Sequence, residues 1–164
     1  MGDSLPTCEF DDRNLALKFQ KKLEGRKDAI PPFVDEIMKI IESVGCAEGR
    51  EREVEVAVIE ALANAVVHGC KNDPQKMIEC CVACDGSRAV LIVIRDPGPG
   101  FDPAAIPSPV MGQNLFSTHG RGVFLINQLV DEVRYEKGGT EIHLKIKAGG
   151  SPRIENDESK DGSN

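Results

Sequence analysis

The spacing of apolar residues changes several times along this chain, and each change marks an element. Leu15, Leu17 and Phe19 alternate with polar neighbours, which predicts a first strand. From Phe33 the period lengthens. Phe33, Val34, Ile37, Met38, Ile40, Ile41 and Val44 recur at helical spacing. Pro31-Pro32 suits the first turn of that helix and Gly45 its end. Glu51 to His68 predicts a second helix, stopped by Gly69, with Val54, Val58, Ala61, Leu62 and Ala65 along its apolar stripe. Met77–Cys84 and Ala89–Arg95 predict two paired strands around Asp85-Gly86-Ser87. Ala89 to Ile94 is apolar without interruption, as in a strand covered on both faces. Phe101 to His119 is rich in Pro, Gly and small residues and has little periodicity. Inside a compact domain such a segment is expected to be a lid or binding loop. Gly122 to Val130 predicts a short buried helix. Glu132–Glu136 and Thr140–Lys147 predict a hairpin around Gly138-Gly139, with Ile142, Leu144 and Ile146 inward. From Ala148 to Asn164 the chain is polar and expected to be disordered. No internal repeat is visible.

The resulting order is strand, helix, helix, two strands, lid, helix, two strands. That is an α/β chain of the two-layer α+β sandwich kind, with helices over one face of a mixed sheet. A chain of 164 residues is most simply one domain with a tail, large enough for a core without staples.

Charge and cysteine content narrow the partners. The formal net charge is -7 and no basic stripe offsets it. Direct nucleic-acid binding and adhesion to anionic membranes are therefore not expected. An anionic ligand would need local help from backbone N–H groups, a metal ion or a single arginine. The first residues show neither the basic start nor the apolar core of a secretion signal. No apolar run approaches the roughly 20 residues that span a bilayer. The expected location is the cytoplasm, and the six cysteines (Cys8, Cys46, Cys70, Cys80, Cys81, Cys84) are expected to be reduced, mostly buried thiols. Cys81 and Cys84 have C-x-x-C spacing, but an offset of three on a strand points them to opposite faces, where they cannot share a zinc ion.

The chemistry concentrates in three stretches. In Glu60-Ala-Leu-Ala-Asn64-Ala-Val-Val-His68-Gly69, Glu60 and Asn64 are four residues apart and share a helix face. Glu60 is surrounded by Ala57, Ala61 and Ala63. A lone carboxylate is costly to bury, so Glu60 either lines a wet pocket or is badly placed. In a pocket it can accept the proton of an attacking hydroxyl. Asn64 offers an amide oxygen, either for a packing hydrogen bond or for Mg2+, which prefers oxygen ligands. His68 suits the C-terminal end of the helix, where a cation is favoured. In Asp96-Pro-Gly98-Pro-Gly100-Phe-Asp102, Gly98 and Gly100 permit a flat ring to approach the backbone. Asp96 is then either ordinary turn chemistry or the acceptor for an adenine amino group. In Thr118-His-Gly120-Arg-Gly122, the glycines precede a helix whose N–H groups can cradle phosphate. Arg121 is either solvated or paired with phosphate. Thr140 is either a plain strand start or reaches the adenine pocket through water. P-loop, dinucleotide-fold and eukaryotic-type kinase motifs are absent.

Glu60-x-x-x-Asn64, Asp96-x-Gly98-x-Gly100 and Gly120-x-Gly122 resemble, in order, the N, G1 and G2 boxes of the GHKL ATPases. The wording of the first and third stretches is similar to bacterial anti-sigma-factor serine/threonine kinases. The similarity runs from about Asn14 to Lys147, leaving residues 1–13 as an extension and 148–164 as a tail. The resemblance implies a Bergerat-type ATP fold and ATP with Mg2+ as ligands. It implies phosphorylation of a Ser or Thr on a STAS-type antagonist, capture of a sigma factor, and a homodimer. By the same resemblance Glu60 is the base, Asn64 the Mg2+ ligand, and Asp96 the adenine reader. Gly98 and Gly100 shape the pocket, and the stretch from Thr118 through Gly120, Arg121 and Gly122 to Val123 holds phosphate. Thr140 joins the nucleotide site, and Phe101–His119 is the lid. A histidine kinase is disfavoured, because His68, His119 and His143 all fall within the ATP domain. Two other readings remain: an ATP-responsive module that captures a partner without catalysis, and a general ATPase.

Overall fold

The computed structural model describes residues 15–100 and 118–149. The expected N-terminal extension, most of the lid and nearly all of the tail lie outside the described residues. Strand β1 (Leu15–Glu24) leads to helices α1 (Ile30–Val44) and α2 (Glu51–Asn64), and α2 continues into a π turn (Ala65–Gly69). Strands β2 (Met77–Asp85) and β3 (Val90–Arg95) follow. After the undescribed segment come α3 (Thr118–Leu129), β4 (Glu132–Glu136) and β5 (Glu141–Ile146).

Local chemistry explains the helix ends. Pro31 sits at the start of α1, where no intrahelical N–H is needed. Gly45, at φ 80°, takes the left-handed conformation that ends the helix. Its N–H reaches Glu42 O at 3.2 Å, and the Cys46 N–H reaches Ile41 O at 3.1 Å. The inner stripe of α1 buries Phe33, Val34, Ile37 and Ile41. These join Val54, Val58 and Leu62 of α2 and alternate residues of the sheet, among them Ile78, Cys80, Val82, Val90, Ile92, Ile94, Leu144 and Ile146, in one core. Leu144 and Ile146 are buried and Ile142 packs at the core's edge, as the alternation predicted.

Among the described residues five strands run in the order β1-β2-β3-β5-β4, and every pairing is antiparallel. This corrects the expected mixed sheet. Two helices between β1 and β2 return the chain to the end it left, so β2 runs back along β1. β3 and β4 do run the same way, but β5 inserts between them and pairs with both. The strands that share a direction therefore never touch.

The cysteines also differ from expectation. Cys84 points into the main core, whereas Cys81 and Val93 form a small cluster on the opposite face, as the offset of three requires. Cys46 and Cys84 are not thiols, however. They form a disulfide across 38 residues of sequence, with Cα atoms 6.0 Å apart. Cys81 is also disulfide-bonded, and among the described residues Cys70 and Cys80 are free, buried thiols. Burial pushes the Cys80 thiol up to about 12. Spacing along the chain did not reveal the Cys46–Cys84 bond, because the α1–α2 turn brings Cys46 to the far end of β2 only after folding. A loop of that length implies a contribution of about 3–4 kcal/mol from the restricted unfolded chain. Reductant, or Cys46→Ser, is expected to lower the urea midpoint accordingly. An unchanged midpoint would mean the bond does not form in solution.

Candidate functional site

Three pieces of backbone close on one another at the end of α2. The expected continuous helix from Glu51 to His68 is α-helical only to Asn64. There it widens by one residue, and the Cys70 N–H bonds to Ala65 O at 2.8 Å. Such single-turn widenings re-aim side chains and recur at functional sites. Here the widened turn lays Gly69 against the carboxyl group of Asp96, so closely that a Cβ on Gly69 would overlap it. A Cβ on Gly98 would lie 2.5 Å from the Gly69 carbonyl oxygen. Gly69 and Gly98 are thus required by close approach, and Gly69 does more than stop a helix.

Asp96 directly follows β3 and is fixed on both sides. Its backbone N–H donates to Thr140 O at 2.9 Å, and its Oδ1 accepts the Gly98 N–H at 2.8 Å. Burial pushes the Asp96 carboxyl above the usual carboxylate range, opposed by the Gly98 N–H. Gly100, at φ 77°, rests on the Gly138 carbonyl, which seats the Asp96–Gly100 loop on the β4–β5 turn. Thr140 donates its hydroxyl to Lys137 O at 2.9 Å and keeps its oxygen as an acceptor.

The glycine stretch before the third helix corrects the expected boundary. α3 begins at Thr118, so Gly120 and Gly122 lie inside it. Only its first four N–H groups lack intrahelical partners. Those belong to Thr118, His119, Gly120 and Arg121. The side chains of Thr118, Arg121 and Val123 lie outside the described residues, and their expected contacts with them. Gly122 is buried and seated over α2. A Cβ there would lie 3.1 Å from Asn64 Nδ2 and 3.2 Å from Glu60 Oε2. Glu60 and Asn64 therefore share one helix face beneath α3, and both are half-buried.

Asn64, Asp96, Gly100 and Thr140 line a single cavity. Its floor and walls add Ala61, Ala65, His68, Lys71, Ile94, Tyr135 and Ile142, none of which the sequence singled out as ligand contacts. His68 was expected as a cationic helix cap. Instead it lines this cavity, and burial, with the charge of Lys71, lowers its pKa, which favours the neutral imidazole. Small residues at Ala61 and Ala65 are the only sequence signal for a slot beside the helix, and they read equally well as packing.

The cavity suits a flat, amino-bearing ring: apolar walls, a carboxylate at one end, and backbone close by. Asn64 lines this cavity and also lies beside Glu60 under Gly122 of α3. Among the described residues no cluster of three His, Cys, Asp or Glu can hold a metal alone. Mg2+ commonly takes one or two protein oxygens together with substrate phosphates. The Asn64 amide oxygen fits that use.

Asp96→Asn tests the electrostatics. A carboxyl raised by burial costs stability above its folded pKa, and the cost disappears as pH falls below its unfolded value. The variant keeps an acceptor for the Gly98 N–H. It is expected to melt at the same or a higher temperature at pH 7 in calorimetry. A lower melting temperature would contradict a carboxyl held up by burial.

Comparison with known proteins adds an independent line. Residues 23–146 match the family described as the histidine kinase-like ATPase domain. The chain is 31% identical to the serine-protein kinase RsbW of Staphylococcus epidermidis over 137 residues, covering 76% of this chain and 86% of that protein. It is 33% identical to the anti-sigma F factor of Anoxybacillus flavithermus over 101 residues, covering 56% of this chain and 66% of that protein. In architecture it is similar to the crystal structure of the RsbU and RsbW domains of a Mycobacterium tuberculosis protein, with a TM-score of 0.55 at 17% identity. That likeness covers 80% of this chain and 32% of the other.

Proposed function

Since the chain belongs to the histidine kinase-like ATPase domain family, we propose that it is a protein serine/threonine kinase of the anti-sigma-factor type. Its nucleotide is ATP, and its site is the cavity bounded by Asn64 and Asp96. The observation that carries the reading is the meeting at Gly122. A proton acceptor, Glu60, and a metal-capable amide, Asn64, lie side by side under the α3 start, and Asn64 also lines the cavity that Asp96 closes.

In this reading Asp96 accepts a hydrogen bond from the adenine amino group, and Thr140 stands beside it. Gly98 and Gly100 keep the loop close to the ring. The free N–H groups at Gly120 and its neighbours receive phosphate, favoured by the helix dipole. Asn64 would hold Mg2+ through its amide oxygen, where the ion would supply positive charge against the phosphates. Glu60 takes the proton from a serine or threonine hydroxyl of the partner. The hydroxyl oxygen forms its bond to the γ-phosphorus as the bond to the bridging oxygen breaks, and ADP leaves. The partner is a STAS-type antagonist, the captured protein is a sigma factor, and the kinase works as a homodimer in the cytoplasm. The names of the two relatives, a serine-protein kinase and an anti-sigma factor, support this choice.

The test is direct. Incubation with labelled ATP, Mg2+ and a STAS-type protein encoded beside this chain is expected to place phosphate on a serine or threonine of that protein. ATP binding without any transfer would instead favour the non-catalytic module.

A further inference from the structure

The cavity has two unlike walls. The α2 side is built from Ala61, Ala65 and Gly69, which leave its breadth open, while the sheet side is built from Ile94, Ile142 and Tyr135. Tyr135 is the chain's single tyrosine, and there is no tryptophan. The alternation of β4 leaves Glu132, Arg134 and Glu136 exposed and turns Val133 and Tyr135 inward. The register sets Tyr135 opposite Ile142, so the two form adjoining parts of one wall. Among the described residues β4 is an edge strand, so Tyr135 lies on the last strand of the sheet on that side. Burial pushes the phenol up to about 12, which leaves it uncharged at neutral pH.

We propose that Tyr135 is a base-contact residue, whose ring forms the sheet-side wall against which the nucleobase lies. The inference rests on the nucleotide reading above and adds a division of labour to it. Every base presents a π-face, so an aromatic wall raises affinity without choosing among bases. Asp96, reading an amino group at the ring's edge, does the choosing. The two residues therefore differ in what their loss does. Removing the ring weakens all purine nucleotides together, and removing the carboxylate changes the preference between them.

The single tyrosine makes the test clean, because all intrinsic emission above 300 nm comes from it. Saturating ADP with Mg2+ is expected to change that emission, and inorganic tripolyphosphate is expected not to. Tyr135→Leu keeps an apolar side chain on β4 and is expected to raise the calorimetric Kd for ATP and ADP about tenfold, with the ratio of ATP to GTP affinity unchanged. Tyr135→Phe is expected to stay within about twofold of the native chain. The proposal is overturned if the native chain binds ATP with constant emission, or if a folded Tyr135→Leu variant binds ATP as tightly as the native chain. Failure of the native chain to bind ATP at all is a separate outcome, read in the same calorimeter, and it removes the nucleotide reading itself. Should Tyr135→Leu fail to fold, the emission experiment on the native chain still decides.

Discussion

Glu60→Gln is expected to lower phosphoryl transfer to the partner by a factor of roughly 10² to 10⁴, the usual contribution of a positioned general base. ATP affinity is expected to hold or rise, because a carboxylate near the phosphates is repulsive and the amide is not. The substitution changes little else. Glutamine has the same shape, so the close seat of Gly122 over residues 60 and 64 is kept. The split between lost transfer and kept binding separates a proton acceptor from a residue that merely shapes the site. Single-turnover transfer, measured beside equilibrium ATP binding, gives both numbers. If transfer survives in the variant, the proton goes elsewhere and Glu60 has another role.

The second large effect lies away from the nucleotide. Arg50 immediately precedes α2 and is only 2% exposed. Its Nη1 donates to Asp131 Oδ2 at 2.6 Å and to Lys147 O at 3.2 Å, and its Nη2 donates to Leu129 O at 2.8 Å. Asp131 also accepts the Lys147 N–H at 2.7 Å. One guanidinium thus ties the start of α2 to the end of α3 and the end of β5. α2 carries Glu60 and Asn64, and α3 carries Gly122. Removing one member of a buried charged pair typically costs 3–5 kcal/mol, because the remaining groups lose their partner. Asp131 is a quarter exposed and keeps some water, so Arg50→Ala is expected to cost less than a fully buried pair would, about 2–3 kcal/mol in urea unfolding, still a large share of the 5–15 kcal/mol typical of a domain. The pair Arg50→Met with Asp131→Leu is expected to cost less than the sum of the single changes, since neither charge is then stranded. Additive losses would mean that the contact does not hold the helices together.

Much of the fold was legible because its determinants are local. The helical spacing of Phe33, Val34, Ile37 and Ile41 is visible in any window of α1, and so is the αL stop at Gly45. The hairpin turns at Asp85-Gly86-Ser87 and Gly138-Gly139 carry their own turn chemistry. The spacing of four between Glu60 and Asn64 is itself a statement about one helix face, and the two side chains do share one under Gly122. What stayed hidden depends on contacts distant in sequence. Insertion of β5 between β3 and β4 makes the sheet wholly antiparallel, and no residue in β5 announces it. The Cys46–Cys84 bond joins residues that only the packed helices bring together. The π turn, with Gly69 against Asp96, looks in the sequence like an ordinary helix end. His68 reads as a cap for the same reason. Arg50 reads as one charge among many until Asp131 is beside it.

Asn64 joins the two halves of the proposed site, since it lines the cavity of Asp96 and lies under Gly122 with Glu60. The most direct measurement is a calorimetric titration of ATP, with and without Mg2+, into the native chain and into Asn64→Ala. The native chain is expected to bind one ATP per chain with a strong dependence on Mg2+. The variant is expected to bind at least tenfold more weakly, with that dependence gone. Equal, Mg2+-dependent binding by both proteins, or no binding by the native chain, would contradict a shared site built from Glu60, Asn64 and Asp96.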